Sequence, residues 1–278
     1  RSIDQLITRA AKHIAVDPSP ERSDPTRTAD LVVASVPLPP EAAEADDEWL
    51  PEWQAADVLT AAAVETVLVS AKDELTGMHV ARAVAAATQE NGMLFLGASL
   101  SVRHVSSFSG TAAQEAIVLG NRGTSGIDGC VSTAWGAASA LQSHEGGAAI
   151  ALMGDQAFLY DSNGLLVPDD EERPDLLYVV IDNDGGGIFS TLEQGSGAFD
   201  SEFERVFGVP LGISLRNVAS SMGVPSVEVR SLSELTDAIS SRVGTGTHVI
   251  IARTVDRVTE AQLLADINRA VGTALASS

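Results

Sequence analysis

The runs Gly147-Ala148-Ala149-Ile150-Ala151-Leu152-Met153-Gly154-Asp155 and Leu176-Leu177-Tyr178-Val179-Val180-Ile181-Asp182-Asn183-Asp184-Gly185 decide the fold. Each is an unbroken apolar stretch of strand length that stops at residues carrying oxygen donors. Strands covered on both faces read as such runs, without polar alternation, and that burial belongs to parallel α/β sheets. Open sheets of this kind bind ligands outside the carboxyl ends of their strands. The oxygen donors of both runs stand there.

The donor types suit one chemistry. Mg²⁺ takes near-octahedral oxygen ligation, and it commonly uses one or two protein groups while leaving positions for phosphate and water. Asp155 offers a carboxylate oxygen, Asn183 an amide oxygen and Gly185 a main-chain carbonyl. A helix predicted to start just after Asp155 would aim free N–H groups at the same anion. The plain structural alternative is a strand end that caps a helix, followed later by an ordinary glycine-rich turn.

Together the halves resemble the thiamine diphosphate signature. Twenty-five residues, Ala157 to Ile181, separate Gly154-Asp155-Gln156 from Asp182-Asn183. Gln156 stands where many members carry Gly, and Asp182 where many carry Asn. Longer words narrow the resemblance: Asn121-Arg122-Gly123-Thr124-Ser125-Gly126-Ile127-Asp128-Gly129, Asp161-Ser162-Asn163-Gly164-Leu165-Leu166 and Asn183-Asp184-Gly185-Gly186-Gly187-Ile188-Phe189-Ser190. So do Leu94 to Arg103, Leu192-Glu193-Gln194-Gly195 and Phe203 to Gly208. In this order they resemble the 2-succinyl-5-enolpyruvyl-6-hydroxy-3-cyclohexene-1-carboxylate synthase family (MenD) of menaquinone biosynthesis, from about Trp49 to the C-terminus.

Composition sets outer bounds. The chain of 278 residues is 45% hydrophobic and carries a net charge of −21 from 38 acidic and 17 basic residues. Nucleic-acid binding requires clustered Lys and Arg, and none occurs. Exposed charge is screened beyond about 8 Å at physiological salt, so an anion site must rest on a metal, helix ends and individual arginines. No run of about 18 apolar residues spans a membrane and no secretory signal opens the chain, so a cytoplasmic protein is expected. The start at Arg1 without an initiator Met leads to the expectation of a longer polypeptide. The single cysteine, Cys130, heads a small-residue helical stretch and reads as a buried, inert thiol.

The pattern divides the chain into residues 1–48, with Pro-, Asp- and Glu-rich loops, and 49–278, which the resemblance makes the pyrophosphate-binding domain. In the first part, Ser2 to Gln5 reads as a capping box leading a short helix to Ile14, and Asp30 to Val36 as a strand. The resemblance makes this part the tail of a middle domain. In the second, helices are predicted from Trp49 to about Ala71 and from Thr76 to about Thr88. Strands follow near 93–97, 116–119, 147–153, 176–182 and 247–253, with helices between them and a last helix near 258–274. Alternation of this kind predicts a parallel sheet with helices on both faces.

Single residues follow. The resemblance implies that Gly154, Asp155, Gln156, Ala157, Ser125, Gly126, Ile127, Asn183 and Gly185 bind thiamine diphosphate, with Asp155, Asn183 and Gly185 holding Mg²⁺ (or Mn²⁺). Arg103 and Arg122 follow apolar strands, and the guanidinium fork suits carboxylates; matching family positions hold substrate, and a surface ion pair is the plain alternative. Ser99 is read as a substrate hydrogen-bonding residue or a turn residue. Ile127 is either the apolar wedge that bends the cofactor or a core plug, and Ile188, Phe189 and Leu192 either a lid over the substrate or core. The glycines 185 to 187 allow close backbone approach or mark a hinge. His13, His79, His104 and His144 show no ligand spacing, and His104 reads as a solvated loop residue.

The resemblance implies an enzyme that decarboxylates 2-oxoglutarate and transfers the succinic semialdehyde unit to isochorismate. The activating glutamate lies on a separate pyrimidine-binding domain in that family. No catalytic residue is therefore expected on this chain, which would be nearly silent alone and would complete its site within a homodimer or homotetramer. Two other readings stay open: another thiamine diphosphate enzyme, of the acetohydroxyacid-synthase or 2-oxoacid decarboxylase kind, and a non-catalytic interaction module.

Overall fold

The computed structural model describes residues 7–21, 23–24, 26–36, 48–121, 126–168 and 170–277. The chain divides into two compact units, Arg1–Ala55 and Ala56–Ser278. In the first, strands β1 (Ile14–Val16) and β2 (Leu31–Val33) pair in parallel, Ile14 opposite Leu31. This corrects the reading of Ile14 as a helix end: helical residues stop at Arg9, and the β-branched Ile14 and Val16 pair with the strand foreseen inside 30–36. The capping box at Ser2 to Gln5 and the linker 37–47 lie outside the described residues.

Helix α1 (Trp49–Ser70) crosses the boundary between the units. Helix α2 (Gly77–Ala87) follows, opened by Thr76, whose hydroxyl accepts the His79 N–H. Six parallel strands then form one sheet in the order β4-β3-β5-β6-β8-β7. They are β3 (Met93–Leu96), β4 (Ile117–Leu119), β5 (Ala149–Gly154), β6 (Leu176–Asp182), β7 (Ser226–Val229) and β8 (His248–Arg253). Five lie where the apolar runs predicted them. The sixth, β7, was not foreseen, because an edge strand of four residues with the polar Ser226 and Glu228 leaves no continuous apolar run.

Helices α3 (Leu100–Phe108), α4 (Cys130–Gln142), α5 (Asp155–Tyr160), α6 (Leu215–Ser221), α7 (Leu232–Ser240) and α8 (Arg257–Ala276) link the strands and complete the chain. Alternate side chains of the central strands feed two cores. Phe95, Ala151, Met153, Tyr178, Val180 and Ile251 pack on one face with residues of α4, α5 and α6. Leu94, Leu96, Ile150, Leu152, Val179 and Ile181 pack on the other with α2 and α7. Both faces exclude water, which explains the unbroken apolar runs. Tyr178, fully buried, donates its hydroxyl to the Val131 carbonyl at 3.0 Å and ties sheet to α4. Cys130 is buried, and burial pushes its thiol up, as an inert core residue requires.

The strand order places the site. From β3 the chain steps outward to β4, then crosses back to lay β5 on the other side of β3. The connections leaving β3 and β5 therefore diverge at their carboxyl ends and open a crevice between them. No helix among the described residues is long and apolar enough to cross a membrane.

Candidate functional site

That crevice holds a cavity of about 530 Å³. One wall is the end of β5 and the start of α5, which begins at Asp155 with Gly154 as its cap. Asp155 is only 6% exposed. Its Oδ1 accepts the Gln156 N–H at 2.7 Å and its Oδ2 the Gly185 N–H at 2.6 Å. The second bond joins the two sequence runs directly. Burial, with smaller contributions from the Asp182 and Asp184 carboxylates, pushes the Asp155 carboxyl up to about 7. No arginine, lysine or histidine pairs with it among the described residues.

The turn after β6 is held from outside the cavity. Asp182 pairs with Arg253 at 2.6 Å, the Gly186 N–H donates to the Gly208 carbonyl at 2.8 Å, and Arg257 donates to the Asp184 carbonyl. Arg257 also meets Glu204 at 2.5 Å. Gly185 has φ +134°, and a Cβ there would lie 2.0 Å from the Gly208 carbonyl oxygen. Only glycine fits. The following turn, Gly187–Thr191, carries Ile188 and Phe189, whose ring packs on Phe207 at 5.3 Å between centroids.

On the opposite wall, Ser99 precedes α3 with φ +80°, and Arg103 bonds back to the Ser99 carbonyl at 2.5 Å. A non-glycine residue in that region is uncommon and marks a constrained turn. Arg103 itself is exposed.

Of the residues read from sequence, Ser99, Arg103, Gly126, Ile127, Gly154, Asp155, Gln156, Ala157, Asn183, Gly185, Ile188, Phe189 and Leu192 all line this one cavity. Ser125 and Arg122 lie outside the described residues. Ile127 lines the cavity and packs on the core beneath it. Two ionisable lining residues were missed, His104 and Glu260. His104 is not a solvated loop residue: it sits inside α3, 2% exposed, against Glu260 of α8. No local spacing connects residues so distant in sequence; only packing does.

An Mg²⁺ ion fits this donor set. Asp155 is a buried carboxylate without a cationic partner, and the Asn183 amide and Gly185 backbone line the same cavity. An approaching cation would offset the burial that now favours the protonated acid.

No protein-family model matches the chain. A 2-succinyl-5-enolpyruvyl-6-hydroxy-3-cyclohexene-1-carboxylate synthase of Thermobifida fusca (strain YX) is 41% identical over 275 residues, which is 99% of this chain and 48% of that protein. The chain belongs to the MenD family. A MenD relative from Saccharopolyspora erythraea is 43% identical over 200 residues, 72% of this chain and 35% of the relative. The chain thus spans about half the length, or less, of the curated MenD proteins it matches. Among solved structures, benzoylformate decarboxylase from Polynucleobacter necessarius shares the fold with a TM-score of 0.54 at 21% identity, over 66% of this chain and 33% of that one. A protein from Mycobacterium smegmatis described as a "putative thiamin diphosphate-dependent enzyme" superposes with a TM-score of 0.52 at 15% identity, over 66% of this chain and 32% of that one. The parallel α/β architecture of this MenD family member is therefore that of thiamine diphosphate enzymes.

Proposed function

We propose that this chain is the pyrophosphate- and metal-binding part of a thiamine diphosphate-dependent transferase that acts on 2-oxoglutarate and isochorismate in menaquinone biosynthesis, as the resemblance to MenD enzymes implies. The observation that carries this is the meeting of Asp155, Asn183 and Gly185 with Ser99 and Arg103 in one cavity at the switch point of the sheet. Residues 1–48 are the tail of a middle domain and 49–278 the pyrophosphate domain. The protein works in the cytoplasm as a homodimer or homotetramer in which another subunit's pyrimidine-binding domain completes the site.

When bound, thiamine diphosphate supplies the electron sink for decarboxylation and carbon–carbon bond formation. The chain's own residues bind and orient. Asp155, Asn183 and Gly185 hold Mg²⁺, and with Gly154, Gln156, Ala157 and the Ser125-Gly126 loop they seat the diphosphate. Ile127, which lines the cavity, would press on the bound cofactor as an apolar wedge. Arg103, Arg122 and Ser99 hold substrate carboxylates, a task for which charge-assisted hydrogen bonds are the strongest available. Ile188, Phe189 and Leu192, which line the same cavity, would exclude water from the bound substrate.

The test is turnover of 2-oxoglutarate with isochorismate by the protein joined to its pyrimidine-binding domain, with Mg²⁺ and thiamine diphosphate present. Product formation that depends on both substrates supports the reading. Decarboxylation without transfer to isochorismate would favour a 2-oxoacid decarboxylase, and failure to bind the cofactor would favour an interaction module.

A further inference from the structure

His104 and Glu260 are the most buried ionisable residues of the cavity, each 2% exposed. His104 Nε2 lies 3.4 Å from Glu260 Oε1. Among the described residues, neither imidazole nitrogen nor Glu260 Oε1 has a well-formed hydrogen-bond partner. Glu260 Oε2 accepts the Gly77 N–H at the head of α2, at 3.4 Å. The packing there is closed: a Cβ on Gly77 would come 2.5 Å from Glu260 Oε1 and 2.8 Å from His104 Nδ1. Three elements meet at this point, α3 through His104, α8 through Glu260 and α2 through Gly77.

An isolated buried carboxylate is costly, and leaving a buried donor or acceptor unpaired costs more than the bond itself returns. The arrangement that relieves both is one proton held between the carboxyl and the imidazole. Burial pushes the Glu260 carboxyl up to about 7 and the His104 imidazole down to about 4. Both directions favour an uncharged pair over an ion pair. Neighbouring charges are engaged elsewhere. Arg103 turns to the Ser99 carbonyl, Asp256 accepts the Val258 and Thr259 N–H groups, Arg257 serves Asp184 and Glu204, and His79 contacts the Leu68 carbonyl and Thr76.

Arg103 precedes His104 on the same short helix. We propose that His104 and Glu260 form a positioning pair: by holding one proton between them they fix α3 against the heads of α2 and α8, and so hold Arg103 and Ser99 in place for an anionic substrate. This rests on the functional reading above, which gives Arg103 a carboxylate to bind. In this proposal the pair acts through Arg103 and not on the reacting atoms.

The experiment is calorimetric titration of 2-oxoglutarate into the protein assembled with its pyrimidine-binding domain and loaded with thiamine diphosphate and Mg²⁺. Wild type is compared with Arg103→Ala, Glu260→Ala, Glu260→Gln and His104→Ala, with thermal melts to establish folding. Glu260→Ala and His104→Ala should each weaken 2-oxoglutarate about tenfold, by about 1.4 kcal/mol, and leave thiamine diphosphate affinity within twofold. Glu260→Gln, neutral and able to donate to the imidazole, should restore affinity to within twofold of wild type. A further signature is pH. The substrate remains a dianion above pH 6, yet its affinity for wild type should fall as pH rises from 7 to 9 and Glu260 ionises, whereas Glu260→Gln should hold a flat profile. Should Glu260→Ala not fold, His104→Ala and the pH profile of Glu260→Gln carry the comparison. Wild-type affinity in the alanine variants, or a glutamine variant no better than alanine, overturns the pair while leaving the functional reading standing, provided Arg103→Ala has lost affinity. Unchanged affinity in Arg103→Ala overturns the functional reading and the pair with it.

Discussion

As the proposed metal ligand, Asp155 would face two incompatible demands. A metal ligand must be ionised, yet burial holds this carboxyl up to about 7 when no cation is present. Mg²⁺ must therefore displace a proton below that pH. Affinity for Mg²⁺ with thiamine diphosphate is expected to rise as pH goes from 6 to 8, approaching tenfold per unit on the acid side. Calorimetry in buffers of different ionisation enthalpy should register proton release at pH 6 that fades by pH 8. Asp155→Ala should abolish Mg²⁺-dependent cofactor binding without unfolding the protein, and unchanged affinity in that variant would remove Asp155 from the metal site. Arg103→Ala should do the reverse. Loss of a charge-assisted hydrogen bond, worth about 1.5–3 kcal/mol, weakens dicarboxylate binding roughly 10- to 100-fold while cofactor affinity stays. A loss confined to cofactor would reassign the arginine.

Among the elements, the turn after β6 is the most constrained part of the site. Gly185 combines a φ of +134° with a contact in which a Cβ would meet both the Gly208 carbonyl oxygen and Arg257 Nη1, at 2.0 and 2.3 Å. Gly212 has φ +59° but open space around its Cβ position. The two separate backbone strain from collision. Gly212→Ala should cost about 1–2 kcal/mol, the left-handed penalty alone. Gly185→Ala should cost more, and it should lower cofactor affinity because the displaced turn carries Asn183. Urea denaturation of both variants checks the first expectation; equal costs would mean that the turn yields easily and has a hinge-like character. The same turn shows how far local pattern reaches. Asn183-Asp184-Gly185 announced a ligand-bearing loop after a strand, but not that Asp155 Oδ2 would accept the Gly185 N–H, a contact between separate runs. The edge strand β7 escaped for a related reason: its burial is set by one neighbour, β8, and not by a repeating pattern of its own.

For the whole molecule, four buried groups, Asp155, Glu260, His104 and His79, dominate the pH dependence of stability between pH 5 and 8. Asp155 and Glu260 are raised to about 7, so the stability they contribute is full below their ordinary pKa values near 4 and is lost as pH rises through about 7. His104 is lowered to about 4, so its contribution is present above about 6.5 and is lost as pH falls towards 4. Burial lowers His79 as well, in the same direction as His104, and the two strongly raised carboxyls outweigh both imidazoles. The cofactor-free chain should therefore melt at a higher temperature at pH 5 than at pH 8, with each kcal/mol worth roughly 2–4 °C in a protein of this size. Glu260→Gln should flatten that slope, as should Mg²⁺ with thiamine diphosphate through Asp155. Scanning calorimetry across that range decides it, and a melting temperature that climbs steadily to pH 8 would contradict the assignment.

What the sequence determined by itself was local. Unbroken apolar runs meant strands buried on both faces, Gly154-Asp155 and Asn183-Asp184-Gly185 stood at their carboxyl ends, and helices alternated between them, because side-chain periodicity follows directly from strand and helix geometry. The tertiary structure alone decided that β5 lies beside β3 and not beside β4, which opened the crevice and brought Ser99 and Arg103 opposite Asp155. It alone turned His104 inward against Glu260. Strand order and buried pairing depend on which surfaces exclude water from each other across the whole chain, and that complementarity leaves no mark on any short stretch of sequence.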